Sequence, residues 1–259
     1  MSCFEFEAIG ILRTQAVYPQ EAPRQGVLSG RGGVIELLPG RNFEAAVSDL
    51  DGIDRIWIIF VFDRVHNWKP KVRPPLGGTD RKIGVFATRS PHRPNPIGIT
   101  AARLDAVKGL SLFVSETDLL DGTPVLDIKP YIPMADSFPD AKTGWRGEFE
   151  NPQISIIWSE HAARKAEFLN SCGGPDLQEF SRIQLGTRDI DPGRLRLTGP
   201  DENGVSTLAF RTWRIDFIHH PEQITVTDIR SGYTAEELLP DAADQYHDKE
   251  LHRLFRKSF

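Results

Sequence analysis

Cysteine is scarce in this chain. The 259 residues hold two, Cys3 and Cys172, far apart. That is too few for a disulfide scaffold or a cysteine-rich zinc site, and it points to a reducing compartment. Long apolar runs are also missing. No stretch approaches the ~20 residues that cross a bilayer, and the opening MSCFEFEAIG carries acids in place of an apolar signal core. A cytoplasmic protein with no membrane association is predicted. Several catalytic signatures are absent as well. No Gly-x-Gly-x-x-Gly follows a strand and opens a helix, and alternating βα units are lacking in the first half, which argues against a Rossmann domain. There is no GxxxxGK[ST] loop, no HExxH helix and no GxSxG elbow. The pair His219-His220 is a poor metal site because adjacent residues on a strand point to opposite faces. No metal is expected.

What is present is an ordinary soluble composition, 39% hydrophobic and 26% charged, with a formal charge of −5. That balance argues against coating nucleic acid over the whole surface but leaves room for a local basic site. The first half reads mostly as strands. Phe4, Phe6 and Ala8 alternate with acids. Val34–Leu38, Ile83–Ala87, Ile97–Leu104, Leu110–Val114 and Val125–Ile128 are short apolar segments between turn signals. Ile56–Phe62 is continuously apolar, so burial on both faces is expected. One helix is expected after Asn42, with Ala45, Ala46 and Leu50 on one face. Many short strands suggest an antiparallel sheet or closed barrel.

The polar, turn-rich residues near 141–152 read as a linker. Beyond it the pattern is α+β. A strand Ile154–Trp158 precedes helices over Glu160–Leu169 and Asp176–Leu185. A hairpin turns at His219-His220-Pro221-Glu222. A capping box opens at Thr234-Ala235-Glu236-Glu237, and a last helix presents His247, Leu251, Leu254 and Phe255. The fold class is therefore mainly β: an N-terminal domain over 1–140, a linker over 141–152, and a smaller α+β domain over 153–259.

The most informative run is Phe86-Ala87-Thr88-Arg89-Ser90-Pro91-His92-Arg93-Pro94-Asn95-Pro96-Ile97-Gly98. Each proline fixes its own φ and restricts the residue before it. A stiff loop carrying guanidinium forks suits an anion or a base face. The alternative is a rigid connector with solvated arginines. Residues 69–93 favour the first reading: they hold Lys69, Lys71, Arg73, Arg81, Lys82, Arg89 and Arg93 against a single acid, Asp80.

Five ordered blocks then carry a resemblance: FVF with Asp63-Arg64, VRPP, GVFATRSPHRPNPIG, LLDGTPVLDIKPY, and the earlier Pro23-Arg24-Gln25. Over residues 4–140 the chain resembles the TrmO family of S-adenosylmethionine-dependent tRNA N6-methyltransferases, which act on threonylcarbamoyladenosine beside the anticodon. The resemblance implies a small β-barrel outside the Rossmann methyltransferases and a cofactor site near a homodimer interface. It implies cofactor contacts from Pro23, Arg24, Gln25, Asp63, Arg64, Arg89, Ile99, Leu119, Leu120, Asp121 and Gly122. Members carry His-Gln where this chain has Asp63-Arg64. Late in the chain, in the part that engages tRNA, the family's DPRPAY-like motif is matched only by Asp191-Pro192-Gly193-Arg194.

Residue chemistry adds roles. Arg89 or Arg24 suits the donor's carboxylate. The Leu120-Asp121-Gly122 turn offers backbone groups to adenine, or simply joins two strands. Methyl transfer to N6 releases a proton, for which Asp63, His66 and Asp121 are candidate acceptors. Lys69, Lys71, Arg73, Arg81, Lys82 and Arg93 would attract RNA phosphate, and Trp68 or Tyr131 would stack on a base or pack in the core. Two rival functions remain at this level: a noncatalytic nucleotide- or RNA-binding module, and methylation of a small molecule.

Overall fold

The structure, a computed structural model, describes residues 3–23, 25–74, 81–149, 154–186 and 196–259. It divides into two compact units, the first reaching Gly147 and the second following it.

In the first unit, apolar alternation produces β1 (Gly10–Thr14), β2 (Gly32–Leu37) and β3 (Arg55–Val61). A short ribbon of β4 (Lys71–Val72) and β5 (Ile83–Gly84) follows. Then come β6 (Ile97–Lys108), β7 (Ser111–Ser115) and β8 (Pro124–Pro130). Six of these close into an antiparallel barrel in the order β1-β2-β7-β6-β3-β8. The lumen is filled by side chains, among them Leu12, Ile35, Ile56, Ile58, Phe60, Ala102, Leu112, Val114 and Val125, as expected when so few strands close on themselves. Gly98 is required for this packing. A Cβ there would lie 2.2 Å from the Phe60 ring.

The first-unit expectations need four corrections. Residues 3–8 form no strand, and Phe4 and Phe6 are exposed; pairing with β2 starts only at Gly10. β3 alternates buried and half-buried residues, because the outer wall of a barrel is not covered by a second layer. Val85–Ala87 leaves the β5 strand as a 3-10 turn. The helix after Asn42 is a single turn, α1 (Phe43–Ala46), that excludes Leu50; Asn42 itself is left-handed and makes no side-chain cap. A second short helix, α2 (Pro133–Asp136), follows the barrel.

The second unit is a five-stranded sheet in the order β10-β11-β12-β13-β9. Its strands are β9 (Ser155–Trp158), β10 (Leu197–Thr198), β11 (Val205–Phe210), β12 (Trp213–His219) and β13 (Gln223–Ser231). The helices are α3 (Glu160–Ser171), α4 (Leu177–Leu185) and α5 (Lys249–Ser258). Ser159 and Asp176 cap α3 and α4 through their side chains, satisfying donors that a helix start leaves open. The Thr234–Glu237 capping box forms, at 2.7 and 3.2 Å. The last helix buries Lys249, His252 and Phe255, whereas His247 and Leu254 are exposed. The expected face is half right: Phe255 is in the core and Leu251 packs against it, while Trp213 stacks on His252 with centroids 3.6 Å apart and turns the buried side away from His247 and Leu254.

Candidate functional site

Strand direction decides where the polar loops go. With every barrel neighbour antiparallel, the connections 15–31, 62–96 and 116–123 all emerge at one end. All the sequence-predicted cofactor residues but one lie on these connections; Ile99 starts β6 at the same end. Long connections at one barrel end are where such folds concentrate chemistry.

Two linked clusters form there. In the first, the Asp121 carboxylate accepts from the Thr14 N–H (3.1 Å), and the Asp121 N–H donates to the Ala16 carbonyl (2.7 Å). Arg64 ties the same turn down by donating to the carbonyls of Val17 (2.6 Å) and Asp121 (2.5 Å). Leu120 accepts from the Thr123 hydroxyl (2.7 Å), and Leu119 is buried beneath. Gly122 has φ +80°, and an added Cβ would meet only Arg64 Nη2, at 3.9 Å. The turn is thus held from below and open above.

In the second cluster, Arg89 donates to the Gln25 side-chain carbonyl (2.8 Å). This places the proline loop against the 15–31 connection. The next residue, Gly26, lies so close to the barrel edge that a Cβ would come 2.1 Å from the Glu116 carbonyl oxygen. Pro23 is buried. The Glu21 carboxylate, 1% exposed, accepts from the N–H groups of Val17 (2.9 Å) and Tyr18 (3.2 Å) and locks the connection internally.

Asp118, beside Arg89 and one residue before the Leu119–Gly122 turn, was missed by sequence reasoning. Burial pushes its pKa up, while the Thr100 hydroxyl, its own N–H and the Arg89 charge pull the other way. Its Oδ1 is buried without a hydrogen-bond partner. An orphaned carboxylate oxygen under a cationic loop is costly unless something else completes it. The sequence signal was slight: one acid three residues ahead of Asp121, between Thr117 and Leu119.

The remaining candidates are distributed as follows. Asp63 and His66 are exposed, with side chains that have no polar partner among the described residues. Asp121 is committed to Thr14. Ile99 is 52% exposed on the outer face of β6. Lys69, Lys71, Arg73, Arg81 and Lys82 are exposed. Arg93 differs from the expectation of a phosphate-seeking side chain, because its guanidinium turns onto its own loop and donates to the carbonyls of Thr88 (2.8 Å) and Val85 (3.3 Å). It stiffens the loop that carries Arg89. Trp68 is 53% exposed, whereas Tyr131 packs on Trp57 with centroids 5.4 Å apart. Arg24 and Asp191-Pro192-Gly193-Arg194 lie outside the described residues.

A closed barrel that gathers a guanidinium, a buried carboxylate and an open backbone turn at one end is a candidate small-ligand site on a fold outside the Rossmann class. Comparison with known proteins gives the family. Residues 11–137 match the family model of the tRNA-methyltransferase O N-terminal domain. The chain is 42% identical over 227 residues to the tRNA (adenine(37)-N6)-methyltransferase of Escherichia coli K12, covering 84% of this chain and 92% of that protein. It matches a crystal structure of TrmO with a TM-score of 0.64 at 32% identity, over 88% of this chain and 99% of that one. A crystal structure of TrmO from Pseudomonas aeruginosa matches with the same TM-score at 30% identity, over 89% and 99%. The chain belongs to the TrmO family.

Proposed function

We propose that the protein transfers the methyl group of S-adenosylmethionine to N6 of the modified adenosine-37 beside the anticodon of tRNA. The observation that carries this reading is the meeting of Arg89, Gln25 and Asp118 with the Leu119–Gly122 turn at one barrel end. The residues suit the cofactor. It is an α-amino acid zwitterion joined to adenosine, and Arg89 offers a fork to its carboxylate. Asp118 supplies the opposite charge beside Arg89, with one oxygen unclaimed by the protein. Gly122 and the backbone of the Leu120–Gly122 turn leave open space for a flat base, and Ile99 adds an apolar surface. Pro23 completes the 15–31 side of the site, the family resemblance adds Arg24, and Asp63 contributes from the end of β3.

S-adenosylmethionine supplies an electrophilic methyl on a sulfonium. The protein's own part is positioning: Arg64 fixes the adenine turn, and Arg93 fixes the loop that aims Arg89. Holding the reactants in line supplies a large share of the rate. The proton leaving N6 goes to a group at this end. Asp63 and His66 have free side chains for it; Asp121 does not. Lys69, Lys71, Arg73, Arg81 and Lys82 attract RNA phosphate, Trp68 stacks on a base, and residues 153–259 form the tRNA-engaging domain. The protein works as a homodimer in the cytoplasm. Phe86, Ile97 and Val27 are 76%, 40% and 68% exposed at the cofactor end, an apolar surface that a second copy would cover.

Two measurements test the reading. Calorimetry should detect micromolar S-adenosylmethionine binding. Mass spectrometry of tRNA nucleosides from a deletion strain should lack the N6-methylated threonylcarbamoyladenosine. A full complement of that nucleoside in the deletion strain rejects the assignment.

A further inference from the structure

The second unit buries one face of its sheet, through Leu208, Phe210, Trp213, Ile215, Phe217 and Ile229. The opposite face carries a row of arginines. Arg214 on β12 stands across from Ala209 on β11 and from Arg230 on β13. The Ala209 N–H donates to the Arg196 carbonyl (3.2 Å), bringing a third arginine beside the row. Like charges directly opposite one another destabilise a sheet, so this arrangement carries a cost.

The acids present offset it at Arg230 but not at Arg214. Asp216 pairs with Arg230 at 2.6 and 3.0 Å and also accepts from the Thr207 hydroxyl (2.5 Å). Arg214 has no carboxylate partner among the described residues. Its Nη1 donates to the carbonyls of Arg211 (3.1 Å) and Trp213 (2.9 Å), closing the hairpin turn. No described residue accepts from its Nε or Nη2. Burial first, then the charges of Arg230 and Arg196, lower the Arg214 pKa. The guanidinium rests against Gly232, where a Cβ would come 2.7 Å from Arg214 Cζ. The side chain is therefore seated in one place, with one edge of its fork unused.

We propose that Arg196, Arg214 and Arg230 on this sheet face dock the phosphate backbone of the tRNA substrate. The inference rests on the tRNA reading above and names a surface that reading does not specify. Phosphate is the favoured occupant because a guanidinium edge matches two phosphate oxygens. A repeating anion also relieves several adjacent cations at once, which a single carboxylate cannot do.

The test is tRNA binding by the full chain at several salt concentrations. The double variant Arg196→Gln/Arg214→Gln keeps donors for the turn carbonyls and removes two charges. It should bind tRNA about tenfold more weakly and lower the salt slope by roughly 1.5, given a slope of about 0.7–0.9 per phosphate contact. Its affinity for S-adenosylmethionine should be unchanged. The control Arg164→Gln/Lys257→Gln removes equal charge from the exposed helices on the other face and should keep the wild-type slope. If wild-type protein holds tRNA and the sheet-face variant holds it as tightly, or if both variants lose affinity equally, the inference is overturned alone. Wild-type protein that does not hold tRNA overturns the tRNA reading and the inference with it.

Discussion

The two ends of the barrel are built from the same strands and differ in almost everything else. At one end, three connections converge on Arg64, Arg89, Asp118 and Asp121, and nearly every contact runs through the backbone. At the other end lies a cavity of about 430 Å³, lined by Glu44, Ser48, Leu50, Asp51, Leu104, Asp105 and Gly109 among others. That cavity is lined by the acids Glu44, Asp51 and Asp105, yet it gathers none of the candidate residues. A cavity by itself is therefore a poor guide to chemistry in this fold. Convergence of polar groups that the fold itself leaves incomplete is the better one.

Four experiments would break or sharpen this contrast. The largest effect is expected for Gly26→Ala. The new Cβ would collide with the Glu116 carbonyl at 2.1 Å, and backbone cannot rotate aside as a side chain can. Overpacking of this kind costs about 1–3 kcal/mol, so a lower melting temperature and loss of methyl-donor binding should appear together. Arg89→Ala comes next. It should weaken donor binding about tenfold in calorimetry with little change in melting temperature, because a charged hydrogen bond to the ligand is lost while the fold keeps its contacts. Unaltered affinity would remove Arg89 from the site.

Asp118→Asn should act in opposite directions on stability and binding. The native pKa is raised, with burial the leading cause, so the folded state holds the proton more tightly than the unfolded chain. Stability then falls as pH rises from the ordinary carboxylate range through the raised value, and stays lower above it. The neutral amide avoids that loss. The variant should melt slightly higher than wild type at neutral pH, with the gain shrinking as pH is lowered toward 4, and should bind the donor several-fold more weakly. A variant less stable at neutral pH would mean the carboxylate is satisfied in the fold. The smallest effect belongs to Ser48→Phe, which intrudes on the far cavity: donor affinity within twofold of wild type is expected, and a larger change would make that end part of the site.

Legibility was uneven for reasons visible in individual residues. β6, β7 and β8 could be read as short apolar segments between turn signals, and β3 as a short apolar run, although burial of β3 on both faces did not follow because the outer wall of the barrel stays uncovered. The proline loop could be read because proline restricts the backbone wherever it occurs. Phe4 and Phe6 misled because alternation describes a strand only when a partner edge is available. The last helix was read only in part, through Leu251 and Phe255, because Trp213, distant in sequence, stacks on His252 and shifts the buried face. Arg93 was grouped with the basic residues by composition, but its guanidinium serves the carbonyls of its own loop. Asp118 was invisible because burial of a lone acid depends on what covers it.

From residue order alone came the strand-rich first half, the stiff arginine loop, the α+β second half and the ordered blocks shared with a methyltransferase family, since each is carried by local backbone preference or by motif. Barrel closure decided the rest: it brought connections about 100 residues apart in the chain to one end and left Asp118 Oδ1 without a partner. In the second unit, strand register lined up Arg214 with Arg230. Such outcomes depend on contacts between distant segments, which local preference cannot encode.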